Sequence, residues 1–272
     1  MRYGILIGFL FLFSQPARAE LNLEKLPDEQ IEMVKTILIE LGPVIKEKEA
    51  QKNLATLTFE ELYKPLNEKE QTFLRQFQNF DPVKAGMDTH WQGLAFGNEE
   101  LVAVENQKIL KDGKEFIIPP QFVPPIVYSD YNKMMAAMEK DLKKRLYIES
   151  AYRSSAYQLH LFVSYLQNHN YSVRETAHWN AFPGYSEHGN PKRQAIDFIN
   201  AEGINGEKNP EEFAALPEYD WLLKNADKFN FVLSYPKKDA SGIGYEPWHW
   251  RHEIVQSKEK RVESKERVPS KE

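Results

Sequence analysis

The first part of the chain beyond residue 20 has the hydrophobic spacing of a helix. Apolar residues recur at intervals of three and four positions from Ile31 to Leu41, which places them on one helical face. Pro27-Asp28 is a start signal for such a helix, and Gly42-Pro43 predicts its end. The sequence therefore predicts an amphipathic helix that ends at Gly42.

Two further helices are predicted by capping-box patterns. Thr58 stands three residues before Glu61, and Asn67 stands three residues before Glu70, so each pair can satisfy the free backbone N–H groups of a helix start. No polar groups are paired in this part of the chain in a way that indicates chemistry. Residues 20–100 are therefore interpreted as a helical N-terminal region with a structural role.

The hydrophobic period changes to that of strands beyond residue 100. Apolar runs at 101–104 and 116–118 flank Lys111-Asp112-Gly113-Lys114, and this pattern predicts a β-hairpin. Ser129 then predicts the start of a helix, and an apolar stripe from Tyr131 to Leu142 belongs to its core face.

An acidic residue interrupts one of the predicted buried strands. Asp197 lies in the middle of the apolar run 195–199, where an unpaired ionised carboxylate would be very unfavourable. A buried arginine, a group of backbone N–H donors or a metal ion could each neutralise it. His188 comes nine residues earlier, and the intervening Gly-Asn-Pro turn allows the chain to bring the two residues together.

The segment from Tyr245 to Arg251 places a carboxylate and an imidazole three residues apart among aromatic residues. In a regular strand, Glu246 and His249 would point to opposite faces. Proline is found at strand edges and bulges, so Pro247 predicts a break that turns both groups into one cleft, with tryptophans as its walls. The alternative is an ordinary strand end with aromatic packing and a surface glutamate.

These segments together have the composition of a catalytic zinc site. Two imidazoles and one carboxylate, from His188, Asp197 and His249, would leave a fourth position for water. Glu246 would then be the base that does not bind the metal. Each residue alone has a simpler interpretation, because His188 could be polar surface and Asp197 could form a buried salt bridge.

The composition limits the alternatives. The chain contains no cysteine, so a metal site must use His, Asp or Glu. His178 and His252 are the rival imidazole ligands, being closest in sequence to the motif residues. The formal net charge is −5, which argues against nucleic acid as a partner because phosphate binding needs a basic face.

The two ends of the chain have distinctive patterns. Residues 1–19 have a positive start, a short apolar core and an Ala-Arg-Ala cleavage site, which predict a secretory signal peptide and a location in the periplasm or cell envelope. The apolar core is too short for a stable membrane span, and no later segment is apolar enough for one. Residues 257–272 are rich in charge and predict a disordered tail.

Three short motifs resemble those of a known peptidase family. Ser186-Glu187-His188, Ala195-Ile196-Asp197 and Glu246-Pro247-Trp248-His249 are similar to the S-x-H, A-x-D and E-x-W-H signatures of zinc D-alanyl-D-alanine carboxypeptidases of the VanY type, within the peptidase M15 family. Tyr152-Arg153-Ser154 with Tyr157-Gln158 resembles the Y-R-S…Y-Q segment of that family. The resemblance covers about half the chain, roughly residues 125–255, with the motifs in the family's order.

The resemblance implies a fold and a set of roles. The fold would be α+β, a small, mainly antiparallel sheet with packed helices and a zinc site (the LAS-type peptidase fold), over residues 101–256. Zn²⁺ would be held by His188, Asp197 and His249, and Glu246 would activate the zinc-bound water. Substrate-binding residues would be Arg153, which would hold the free carboxylate of the substrate, and Gln158, Ser186 and Trp248, which would line the cleft.

The implied activity is a D,D-carboxypeptidase that removes the terminal D-Ala from peptidoglycan stem peptides. Two alternatives stay open: an L,D-carboxypeptidase or peptidoglycan endopeptidase of the same family, and a non-catalytic cell-wall-binding module. The chain departs from the family pattern after His188, where Gly189-Asn190-Pro191-Lys192 resembles an inserted turn and Arg193 occupies the position of a glycine. A longer loop has a modest entropic cost, so His188 and Asp197 can still converge, whereas Arg193 could alter the preference for acidic substrate groups.

Overall fold

The computed structural model describes residues 21–111, 113–190, 192–237 and 244–253. The predicted signal peptide and the predicted charged tail lie outside these residues. The chain forms eight helices within the described ranges: α1 (Asp28–Ala50), α2 (Phe59–Tyr63), α3 (Glu68–Gln78), α4 (Pro125–Leu142), α5 (Ser155–Tyr165), α6 (Val173–Trp179), α7 (Pro210–Ala214) and α8 (Pro217–Asn225). None of these helices has the length and apolar content of a membrane span.

The strands form one four-stranded sheet and two short ribbons, all antiparallel. The strands are β1 (Val102–Val104), β2 (Lys108–Lys111), β3 (Lys114–Ile117), β4 (Gln121–Val123), β5 (Leu146–Ser150), β6 (Ala195–Asn200), β7 (Phe231–Tyr235) and β8 (Glu246–His252). The main sheet has the order β5-β6-β8-β7, while β1 pairs with β4 and β2 pairs with β3. This is the predicted α+β class, with a small antiparallel sheet and packed helices.

Both capping boxes form as predicted. The Thr58 side chain accepts a hydrogen bond from the Glu61 backbone, while Glu61 accepts one from the backbone N–H of Thr58. Asn67 and Glu70 make the same reciprocal pair at the start of α3. The local sequence alone therefore determines where these two helices begin.

Three element boundaries differ from the sequence prediction. Helix α1 continues through Pro43 to Ala50, and the carbonyl freed by the proline, that of Ile39, belongs to a residue that is 73 % exposed and can bond to water. Helix α4 begins at Pro125 rather than at Ser129, because a proline fits the first turn of a helix without loss of a hydrogen bond. The strand at 102–104 pairs with β4, whereas the hairpin joins β2 to β3.

Two hydrophobic cores support the fold. One core lies under the main sheet and includes the apolar stripe of α4 together with α8. The other joins α1, α2 and α3 to α5 and α6, with Phe77 of α3 against Phe162 of α5. The N-terminal helices therefore share a core with the helix that follows the Tyr152-Arg153 segment, although the division into a helical region 20–100 and a peptidase domain 101–256 stays a prediction.

A connecting segment from Trp91 to Glu99 holds the loops around the cleft. Ala95 and Ser155 exchange hydrogen bonds, since the Ala95 backbone N–H donates to the Ser155 hydroxyl and its carbonyl accepts from the Ser155 backbone. Gln92 accepts a bond from Asn190 at 3.0 Å and its backbone N–H donates to Gly184. The segment thus ties the start of α5 to the inserted turn after His188.

Candidate metal centre and active site

Three side chains that are far apart in sequence meet at one end of the main sheet. His188 lies in a short 3-10 turn, Asp197 is the third residue of β6, and His249 lies on β8 directly opposite Asp197. Asp197 Oδ2 is 3.1 Å from His188 Nε2, and Asp197 Oδ1 is 2.8 Å from His249 Nδ1. One ligand atom from each residue lies within 4.8 Å of the others. We call these three residues the His-Asp-His trio.

An irregularity in the sheet brings Glu246 to the same side as His249. Leu233 pairs with Trp250 and Tyr235 pairs with Glu246. A step of two residues along β7 therefore corresponds to a step of four residues along β8. This bulge contains Pro247, which cannot donate to a ladder. As a result, Glu246 Oε2 lies 3.9 Å from His249 Nδ1 rather than on the opposite face of the strand.

Hydrogen bonds outside the trio determine which nitrogen of each imidazole faces inward. His188 Nδ1 carries the proton and donates it to the Ala151 carbonyl at 2.7 Å. Its Nε2 therefore has the free lone pair, which faces Asp197 and could bind a metal. His249 Nε2 donates to Glu187 Oε2 at 3.0 Å, so its Nδ1 faces the trio. Glu187 also accepts a bond from the Ser234 hydroxyl at 2.5 Å.

The charges of the trio are strongly coupled. Burial, together with the Arg153 charge, lowers the pKa of His188 to about 4, so this imidazole is neutral at pH 7. Burial opposes ionisation of Asp197, but the two imidazoles outweigh it and hold its pKa well below the usual range. Burial also opposes protonation of His249, yet the bonds and charges of Asp197 and Glu187 raise its pKa to about 10. The site therefore holds an ionised carboxylate beside a protonated imidazole, and His249 would have to release the proton on Nδ1 to bind a metal through that nitrogen.

Glu246 has the electrostatics of a group that can exchange a proton near neutral pH. Its side chain is 29 % exposed, and burial raises its pKa to about 7. A carboxylate with a pKa near the working pH can both accept and return a proton. Glu187, in contrast, has its pKa lowered to about 2, because the bonds from His249 and Ser234 overcome the effect of burial. At the same site, Glu246 thus has a raised pKa and Glu187 has a lowered one.

The predicted substrate-binding residues all line one cleft, of about 1580 Å³, that also contains the trio and Glu246. Arg153 Nη1 donates to Gln158 Oε1 at 3.3 Å, and Gln158 Nε2 donates to the Ala181 carbonyl at 2.8 Å. Ser186 is buried at the start of the turn that carries His188. The Trp248 ring packs directly against Gly206, where any side chain would clash with the ring. Gly206 therefore supports the wall of the cleft that Trp248 forms.

The inserted turn is anchored away from the trio. The Asn190 side-chain oxygen accepts bonds from the backbone N–H groups of Lys192 and Arg193. Arg193 Nη2 donates to Glu253 at 3.2 Å, and Arg251 donates to the same carboxylate oxygen at 3.1 Å. With the turn anchored in this way, His188 Nε2 and Asp197 Oδ2 lie 3.1 Å apart.

Neither of the two rival imidazoles belongs to the trio. His252 is buried and its Nε2 is 3.0 Å from Asp130 of α4, while His178 is exposed on α6. Sequence reasoning gave no role to Glu187, although an acidic residue directly before a candidate ligand was a visible signal. The bond from Ser234 to Glu187 had no comparable signal, since it joins residues 47 positions apart.

The donor set of the trio fits a zinc ion. Two imidazoles, each with an outer hydrogen-bond partner, and one carboxylate are typical of zinc sites that keep one position open. The spacing of the ligand atoms can be spanned by ligand bonds of about 2.1 Å after small side-chain adjustments. The trio is also the only such cluster found among the residues that the structure describes.

Comparison with known proteins gives a family match across about half of the chain. Residues 121–255 match the family described as VanY, D-alanyl-D-alanine carboxypeptidase. A D-alanyl-D-alanine carboxypeptidase of Enterococcus faecalis is 39 % identical over 80 residues, which cover 29 % of this chain and 26 % of that relative. The chain thus spans about a quarter of the length of this curated relative.

A longer match and a solved structure add to this comparison. The bifunctional D-Ala-D-Ala dipeptidase and D-Ala-D-Ala carboxypeptidase VanXYC of Enterococcus gallinarum is 27 % identical over 146 residues, covering 48 % of this chain and 67 % of that protein. The structure of the LdcB LD-carboxypeptidase is 23 % identical with a TM-score of 0.48, covering 65 % of this chain and 80 % of that one.

Proposed function

Because this chain belongs, through residues 121–255, to the VanY-type D-alanyl-D-alanine carboxypeptidase family, we propose that it is a zinc-dependent D,D-carboxypeptidase that removes the terminal D-Ala from peptidoglycan stem peptides. The observation that carries this proposal is the His-Asp-His trio with Glu246 3.9 Å from His249. A trio without an adjacent base would support a structural metal site instead.

His188, Asp197 and His249 would hold the zinc ion through Nε2, a carboxylate oxygen and Nδ1. A bound zinc ion would act as a Lewis acid that lowers the pKa of water and polarises the scissile carbonyl. Glu246 accepts the proton of the attacking water and returns it to the amine of the leaving D-Ala. Burial raises the pKa of Glu246 to about 7, and the positive charge of a bound zinc ion would favour the carboxylate form that accepts the proton.

Arg153 would bind the C-terminal carboxylate of the substrate. A guanidinium fits a carboxylate with two parallel hydrogen bonds, and Arg153 donates to a neutral partner, Gln158, rather than to an acid among the described residues. Gln158 is held in turn by the Ala181 carbonyl, which keeps the pair oriented toward the cleft. Ser186 and Trp248 would form the walls on either side of the peptide.

The experiment that tests this proposal is mass spectrometry of muropeptides digested with zinc-loaded wild type and with Glu246→Ala. Loss of a single terminal D-Ala from pentapeptides with wild type alone supports the proposal. Loss of D-Ala from tetrapeptides would assign an L,D-carboxypeptidase, and cleavage of cross-links would assign an endopeptidase. Identical products from both proteins would remove Glu246 from the mechanism.

The location in the periplasm or cell envelope belongs to the same proposal. It rests on the signal-peptide pattern of residues 1–19 and on the substrate, which lies outside the cytoplasmic membrane. N-terminal sequencing of the protein from a cell-envelope fraction tests it, since cleavage after Ala19 would give Glu20 as the first residue.

A further inference from the structure

Glu149 is a cleft residue with no part in the chemistry described above. It is the fourth residue of β5, and its neighbour Ser150 pairs with Asp197 across the sheet. Its side chain lines the same cleft as Arg153 and Glu246. Leu146 and Ile148 of this strand are buried, whereas Tyr147 and Glu149 are half-buried on the other face.

The surroundings of Glu149 leave its charge without a partner. Its Oε1 accepts a hydrogen bond from Asn205 Nδ2 at 2.9 Å, and this amide is neutral. No lysine or arginine among the described residues forms an ion pair with it, and Lys111 acts on it only at longer range. Burial, together with the negative charges of Asp197 and Glu207, raises the pKa of Glu149 to about 7. A cation brought by a ligand would remove this penalty.

Glu149 and Arg153 present opposite charges to one cleft from a single segment. They are four residues apart, and an extended chain rises about 3.3 Å per residue, so their backbones are separated by roughly 13 Å at most. On the same rise, a peptide of two or three residues spans about 7–10 Å, which lies within this limit. A ligand with a carboxylate at one end and a cationic group two or three residues away would therefore neutralise both side chains.

We propose that Glu149 binds a primary ammonium group of the substrate, so that the cleft selects a peptide with an amine on the N-terminal side of the scissile bond. This inference rests on the proposed function, because it takes Arg153 as the anchor for the carboxylate end. The ammonium group has two possible sources, the side chain of a diamino acid or the free α-amino group of a short peptide. Both share the same chemistry, a charge-assisted hydrogen bond to a carboxylate.

The test uses L-Lys-D-Ala-D-Ala in four forms, with both amines free, each acetylated alone, and both acetylated. Release of D-Ala is measured with zinc-loaded wild type, Glu149→Gln and Glu175→Gln. Glutamine keeps an oxygen acceptor for Asn205, and Glu175 is a matched control because it is an exposed acid of α6 that lines the same cleft without acting on Glu149. We expect wild type and Glu175→Gln to prefer a free-amine peptide by about tenfold in kcat/KM, and Glu149→Gln to lose that preference.

A binding measurement separates this inference from the proposed function. The four peptides are titrated by calorimetry into zinc-loaded Glu246→Ala, with and without Glu149→Gln, where no turnover is needed. Absence of D-Ala release by wild type would refute the proposed function, while the calorimetry would still report on Glu149. Equal affinity for the free and the fully acetylated peptide, or a preference that survives Glu149→Gln, would overturn the role of Glu149. If one singly acetylated peptide binds as tightly as the peptide with both amines free, the amine that is still free in it is the one that Glu149 binds.

Discussion

Glu187 Oε2 lies 3.0 Å from His249 Nε2, so a buried carboxylate determines which nitrogen of this imidazole faces the trio. The same oxygen accepts the Ser234 hydroxyl at 2.5 Å, and both side chains are at most 9 % exposed. An outer carboxylate of this kind fixes the ring orientation and increases the basicity of the ligand nitrogen. We infer that Glu187 positions His249 for metal binding.

Glu187→Ala is therefore expected to weaken zinc binding by about 10- to 100-fold. Glu187→Gln keeps an acceptor oxygen but loses the charge, so its effect should be smaller. Competition with a chromophoric chelator measures the affinity directly and does not depend on turnover. Glu175→Gln is the control, because Glu175 is an exposed acid on α6 that lines the cleft. Unchanged affinity in Glu187→Ala would show that the bond to His249 is only structural.

Arg153→Lys should separate recognition of the carboxylate from catalysis. A lysine keeps the charge but cannot form two parallel hydrogen bonds, so kcat/KM for peptides with a free C-terminal carboxylate should fall by about tenfold or more. Peptides with an amidated C-terminus lack the carboxylate, and their slow cleavage should not change. Steady-state rates on the matched peptide pair measure this difference. Equal losses on both peptides would indicate that Arg153 supports the cleft structure instead.

The sequence was sufficient to predict the parts of the site that depend on residue type. A carboxylate in an apolar strand requires a partner, and Asp197 lies between the imidazoles of His188 and His249. Pro247 predicted a break in β8, and the bulge there turns Glu246 toward His249. These features follow from local chemistry, namely the cost of burying a charge and the missing N–H of proline.

Features that depend on tertiary contacts were not predictable in the same way. Gly42-Pro43 is a stop signal by local propensity, yet α1 passes through it, because the buried face from Ile31 to Leu41 packs on the core that it shares with α5. The pairing of the strand at 102–104 with β4 rather than with 116–118 also depends on contacts outside the hairpin. Local patterns cannot distinguish such alternatives, because each run of apolar residues fits either partner.

The packing of the N-terminal helices against α5 predicts that the two parts unfold together. Phe77 of α3 is fully buried, with ring centroids 5.4 Å from Phe73 and 6.0 Å from Phe162. Phe77→Ala should destabilise the protein by about 3–5 kcal/mol. Ile39→Ala, on the exposed face of α1, should change the stability by about 0.5 kcal/mol or less.

Urea denaturation followed by both far-UV circular dichroism and tryptophan fluorescence measures these values. Coincident curves from the two probes are expected if the helices and the sheet unfold as one unit. Two separate transitions, with only the first shifted by Phe77→Ala, would mean that residues 20–100 form an independent unit.

His160 of α5 should make the stability of the protein depend on pH. Its Nδ1 is buried with no hydrogen-bond partner among the described residues, and burial lowers the pKa of the imidazole to about 4. The unfolded chain has the ordinary value of about 6.5, so between pH 6.5 and pH 4 it binds a proton that the folded protein does not. Stability is then fully present above pH 6.5 and falls as the pH decreases through this window, by at most about 3 kcal/mol at its lower end.

His160→Gln isolates this contribution, because glutamine does not titrate. Glu149 and Glu246 have raised pKa values and act in the opposite direction, but both proteins share them, so their effect cancels in the comparison. Urea denaturation at pH 7 and pH 5 should show that wild type loses about 2 kcal/mol more than His160→Gln on acidification. An equal loss in the two proteins would mean that the folded protein protonates His160 as readily as the unfolded chain does. That result would contradict the lowered pKa that burial gives this imidazole.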